Sequence, residues 1–111
     1  MQEARARELL ARERERIERA LAELRGEDEQ AAQELGEPGE GGSEDLYERE
    51  LEAGRAALLA DQLAALERAE ARLAAGAYGR SVESGAPIPD ERLEALPTAE
   101  RTIEEQRAHD R

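Results

Sequence analysis

Two apolar seams with seven-residue spacing constrain this chain more than any other feature. In the first stretch Leu10, Ile17, Leu24 and Ala31 recur every seventh residue, and Leu21 and Leu35 fill the four-residue steps. Such spacing keeps a narrow stripe on one side of an α-helix, whereas a strand alternates its faces every second residue. The remaining positions of this stretch are mostly charged, so only the stripe can be buried, and it needs a partner stripe. A second stretch supplies one: Leu59, Leu66 and Leu73 at the same spacing, with Leu63 between, while Leu51 and Leu58 continue an apolar face towards the preceding loop. Between the two, residues 36–43 read Gly-Glu-Pro-Gly-Glu-Gly-Gly-Ser, a run of helix-stopping residues. Two seam-bearing helices joined by a short loop pair antiparallel. The expectation is an all-α chain: a long antiparallel coiled-coil helical hairpin over 1–76 with a small C-terminal knob over 77–111. Its helices cover about 2–35 and 44–75, with a tip loop at 36–43. About 30 residues at a 1.5 Å rise give an arm of roughly 45 Å.

Local signals agree with this reading. Glu3–Arg7, Glu8–Arg12 and Glu15–Arg19 are i,i+4 pairs in the favourable order. Ser43 is placed to be an N-cap, with Glu44 and Asp45 in the first turn, where the helix dipole favours anions. Gly26 predicts a bend or fraying, Gly54 costs its helix about 1 kcal/mol relative to Ala, and Gly76 and Gly79 end the second helix.

Composition excludes several alternatives. Charged residues make up 40% of the 111, and Tyr47 and Tyr78 are the only aromatics, which excludes a large globular core. Low hydropathy and high charge also suit disorder, but the regular seams argue against it for most of the chain. No apolar run reaches the roughly 18–20 residues of a membrane span. The first residues lack a signal peptide's apolar core, so a cytoplasmic location is expected. The net charge of −12 is concentrated: residues 26–52 hold eleven acids against Arg49 alone. Such a segment repels nucleic acid, whose affinity comes largely from Lys and Arg on phosphates, and suits a basic protein surface or a divalent cation. No direct contact with nucleic acid or membrane is expected.

The texture changes from Tyr78 onward. Pro87 and Pro89 bracket Ile88, Asp90 is placed to cap a one-turn helix that stops at Pro97, and Thr98 to cap a last short helix carrying Ile103. Tyr78-Gly79-Arg80-Ser81-Val82-Glu83-Ser84-Gly85-Ala86-Pro87-Ile88 resembles the first knuckle of the DksA/TraR C4-type zinc finger, which reads aromatic-Gly-x-Cys-x-x-Cys-Gly-x-x-Ile. Arg92-Leu93-Glu94-Ala95-Leu96-Pro97-Thr98-Ala99 resembles that family's Arg-Leu-x-Ala-x-Pro-x-Ala, and Leu46-Tyr47-Glu48-Arg49-Glu50 its Phe-Glu-Arg-Glu motif. The resemblance covers about 44–107. It places Ser81, Ser84, Thr102 and Glu105 where the family has four zinc-binding cysteines. Structural zinc takes Cys or His ligands, so a zinc-less, degenerate finger with no metal or other cofactor is expected. Tyr78, Ile88, Leu93 and Leu96 should then face the helices.

The resemblance implies a bacterial transcription regulator that enters the secondary channel of RNA polymerase, with an acidic hairpin tip near the active site. The family's principal tip Asp falls on Gly41 and its earlier partner on Pro38, which leaves Glu40, Glu44 and Asp45 as the candidate tip acids. The bland alternative is that these three only solvate a loop and cap a helix. At the family's alarmone site the matching positions are Ala65 and Gln106, so ppGpp is not expected there. Nothing in the sequence suggests a self-contained enzyme. The Gly-rich loop lacks Gly-Lys-Ser/Thr, and His109, the only histidine, is the third residue from the end. A monomer is expected on this reading. The competing expectation is a divergent coiled-coil adaptor or homodimer anchored by Leu9, Leu51 and Leu58, without polymerase activity.

Overall fold

A computed structural model describes residues 1–34 and 43–111. The chain is all-α: α1 spans Glu3–Glu34, α2 Ser43–Ala74, α3 Asp90–Ala95 and α4 Ile103–His109. Ser43, expected to precede the second helix as its cap, is the first residue of α2. The tip loop predicted over 36–43 lies, apart from Ser43, outside the described residues. Helix α1 runs through Gly26 without interruption, because one glycine costs only about 1 kcal/mol against a helix of this length. The three predicted i,i+4 pairs form, with Arg7 on Glu3 at 2.6 Å, Arg12 on Glu8 at 2.6 Å, and Arg19 on Glu15.

The chain divides into two compact units, Met1–Arg14 with Ala64–Arg111, and Glu15–Leu63. In the second unit Arg16 donates to Gln62 at 2.8 Å and Arg55 reaches Glu27 at 3.5 Å, so numbers rise along one helix as they fall along the other. This is the antiparallel pairing that the two seams require. Ile17, Leu24 and Leu59 are buried in it. Leu51 and Leu58 are not; they stand 52% and 56% exposed. Adjacent helical residues lie about 100° apart, so of Leu58 and Leu59 only one can occupy a narrow seam. Leu59 takes it, and Leu51, seven residues before Leu58, shares that residue's outward stripe.

The first unit also holds its helical segments antiparallel. The Arg14 guanidinium donates to Glu70 through two nitrogens, at 3.0 and 2.6 Å. Ala6, Leu9, Leu10, Leu66 and Ala69 are buried here. Burial of Leu9 corrects its expected role as an exposed anchor. In this unit the start of α1 meets residues 77–111 as well as α2, so its apolar stripe widens to an i, i+3, i+4 pattern. Helix α2 closes at Gly76, whose φ of 75° favours a residue without Cβ. The Gly76 N–H donates to the Leu73 carbonyl and the Ala77 N–H to that of Arg72, the two bonds of a Schellman ending.

The knob has a core of its own, formed by Ile88, Leu93 and Ala99 with Tyr78 packed against it. Tyr78 donates its hydroxyl to the Pro97 carbonyl at 2.8 Å. Leu96, expected to face inward, is 46% exposed. It is the residue after α3, with φ −139° and ψ 86°, and so leaves the helical phase that buries Leu93 three positions earlier. Asp90 does not cap α3: Pro89 holds the N-cap position without a side-chain bond, and Asp90 is the first helical residue.

Candidate functional site

Two places carry the residues singled out by sequence. The first is the start of α2. Glu44 and Asp45 occupy its first turn, Glu44 exposed and Asp45 half-buried. The first four N–H groups of a helix have no partner within it, and its dipole is positive there, so carboxylates at these positions are stabilised while keeping oxygens free for another ligand. Glu40, the third candidate, lies outside the described residues.

The second place is the knuckle centre. Residues 79–88 form a tight loop in which the Ser81 N–H donates to the Ala86 carbonyl at 2.8 Å, Gly85 to Ser81 at 2.9 Å and Ile88 to Gly79 at 2.8 Å. Gly79 turns into this loop with φ 85°, a conformation that a side chain would strain. Inside the loop the Ser81 hydroxyl oxygen accepts the N–H groups of Glu83 and Ser84, at 3.1 and 3.3 Å. Its own proton goes to Glu105 Oε2 at 2.9 Å. Glu105 Oε1 accepts the Thr102 N–H at 3.1 Å, and the Glu105 N–H is taken by Thr102 Oγ1 at 3.2 Å. Thr102 and Glu105 therefore form a reciprocal capping box at the start of α4. Thr102, and not Thr98, is the N-cap. The Thr-x-x-Glu signature is present in the sequence, at two of the positions where the family has cysteines. The Thr102 N–H above all, with the hydroxyls of Ser81, Ser84 and Thr102, holds the Glu105 carboxyl down at about 2. The fold thus gathers Ser81, Ser84, Thr102 and Glu105, contributed by two segments distant in sequence, into one hydrogen-bonded cluster.

Ion pairs fasten this knob to the helical segments of its own unit. Arg5 grips Glu94 with two bonds, Nε to Oε1 at 2.8 Å and Nη2 to Oε2 at 2.6 Å, the fork geometry suited to a carboxylate. Arg68 donates to Glu100 at 2.7 Å, while within the knob Arg101 donates to Glu83 at 2.7 Å. Arg5 and Glu94 stand 89 positions apart, and no local pattern marks them as partners.

Residues 82–111 match the profile of the prokaryotic dksA/traR C4-type zinc finger. The solved structure of the transcription factor DksA2 from Pseudomonas aeruginosa is similar over 97% of this chain and 82% of its own, at 32% identity and a TM-score of 0.61. This chain belongs to the DksA/TraR family. No curated protein matches it significantly. It is a DksA/TraR protein without cysteine. The oxygens at the four finger positions of this family member do not fit zinc. Ser81 Oγ already accepts two N–H groups and donates its proton, which exhausts a hydroxyl. Thr102 Oγ1 caps α4, and Glu105 alone carries charge, whereas tetrahedral structural zinc takes thiolate or imidazole.

Proposed function

We propose that this chain regulates transcription by binding RNA polymerase through the secondary channel, presenting Glu40, Glu44 and Asp45 near the active site. The observation that carries the reading is the 32% identity to the transcription factor DksA2, sustained over 97% of the chain. The paired helices supply a stiff support, and the first turn of α2 presents exposed Glu44 and half-buried Asp45. Carboxylate oxygens there can pair with a basic side chain or with Mg²⁺. On this reading the protein is a cytoplasmic, monomeric regulator and not an enzyme. No helix among the described residues is long and apolar enough to cross a membrane. No ppGpp site is proposed, since Ala65 has no polar side chain and Gln106 gives its side-chain amide to Asp110 at 2.9 Å.

The deciding experiment is a pull-down with core RNA polymerase, followed by transcription in vitro, using the natural chain and one with residues 36–45 replaced by a neutral loop. The loop variant is expected to bind the polymerase yet fail to change transcript yield. Unchanged binding together with unchanged regulation would discard the tip mechanism. A second reading, a coiled-coil homodimer or adaptor without polymerase activity, is favoured by the exposed Leu46, Tyr47, Leu51 and Leu58. Sedimentation separates the two, since a tight dimer contradicts the channel reading.

A further inference from the structure

Three buried residues and one half-buried tyrosine form a small core for a knob built from loops and two short helices. Domains of this kind need a staple. Ser81 is the buried polar residue among the described ones, 5% exposed, and a buried hydroxyl is tolerated only when its hydrogen-bonding capacity is used. Here it is saturated by two amides of its own knuckle and by Glu105 from the other side of the knob.

We propose that the Glu105 carboxylate is the cross-link that closes this knob, joining its two knuckles by hydrogen bonds where a tetrahedral metal would join them by coordination. One oxygen holds the Ser81 hydroxyl, and through it the turn at 81–84. The other holds the Thr102 N–H at the N-cap of α4. The two segments are already aligned by the Val82 N–H on the Glu100 carbonyl at 2.9 Å and by the Arg101–Glu83 ion pair, so the carboxylate closes a preformed gap. Arg101 lies within electrostatic reach of Glu105, Glu83 and Glu100 and is paired to Glu83, whose carboxylate lies 4.0 Å from His109 Nδ1. Glutamine cannot replace glutamate here. An amide has one accepting oxygen for two donors, and its NH₂ would face a hydroxyl whose lone pairs are occupied. The cross-link therefore needs neither metal nor thiol, and it stands independently of the polymerase reading.

The test is native-state hydrogen exchange on the full chain, followed at the amides of Glu83, Ser84 and Thr102, with and without EDTA. Natural protein is expected to keep its protection in EDTA. Glu105→Gln should exchange about tenfold or more faster at these amides, the loss of a charge-assisted bond. Ser81→Ala keeps the capping box, so it should speed exchange at Glu83 and Ser84 while sparing Thr102. It thereby keeps the test decisive if Glu105→Gln unfolds the knob. A variant carrying S81C, S84C, T102C and E105C together should bind zinc and lose its protection in EDTA. Natural protein that loses protection in chelator, Glu105→Gln or Ser81→Ala exchanging at the natural rate, or a four-cysteine variant that ignores zinc would each overturn the proposal.

Discussion

Leu58 and Leu59 are chemically identical neighbours on α2, yet one is 56% exposed and the other 6%. Truncating each to alanine isolates burial from everything else, because helix propensity and charge change equally in both. Full burial of a leucine side chain is worth about 1.5–3 kcal/mol, and the cavity left behind adds to it, so Leu59→Ala should cost about 3 kcal/mol. Leu58→Ala removes surface that is mostly wet already and should cost under about 1 kcal/mol, offset by the slightly better helix propensity of alanine. For a chain of this size those losses correspond to falls in Tm of roughly 10–20 °C and under about 5 °C. Thermal melts followed by circular dichroism at two protein concentrations measure both. Equal falls would refute the seam assignment. A larger, concentration-dependent fall for Leu58→Ala would place that residue in an interface between chains, as the homodimer reading requires.

Two further outcomes follow from the first unit. Three carboxyls lie below their ordinary 4.5: Glu70 beside Arg14, Glu94 beside Arg5, and Glu105, lowest at about 2. A group more acidic in the folded chain stabilises it fully above the unfolded pKa and loses that contribution as pH falls through the folded one. Tm should therefore hold from neutrality to about pH 5 and fall between 4.5 and about 2, with Glu105→Gln flattening the last part; a Tm still unchanged at about pH 3 contradicts this. Burial raises the Tyr78 phenol above its usual 10. In a Tyr47→Phe background an ultraviolet titration should show that displaced midpoint, and adding Tyr78→Phe should cost about 1 kcal/mol through loss of the bond to Pro97; an ordinary midpoint would show the ring to be wet.

The helices were legible because their cause is local. Leu10, Ile17 and Leu24 lie on one line of a helix whatever surrounds it, and the Glu–Arg pairs need only four residues of spacing. The knuckle was legible in outline, since Gly79, Gly85 and the flanking prolines demand turns by themselves. Capping depends on more than local chemistry. Asp90, Thr98 and Thr102 each suit an N-cap chemically, and only the path of the chain through Pro97 and Glu100 decides which one precedes a helix.

Periodicity and turn chemistry thus determined that two seam-bearing helices and a turn-rich knob would form, because those rules act over a few residues. Tertiary structure alone decided that Leu59 and not Leu58 is covered, that Leu9 is buried, and that Arg5 meets Glu94. It also decided that Glu105 reaches Ser81 across the knob. Each depends on which surfaces arrive from distant parts of the chain, and a hydrogen bond or a buried side chain is defined by its partner as much as by itself.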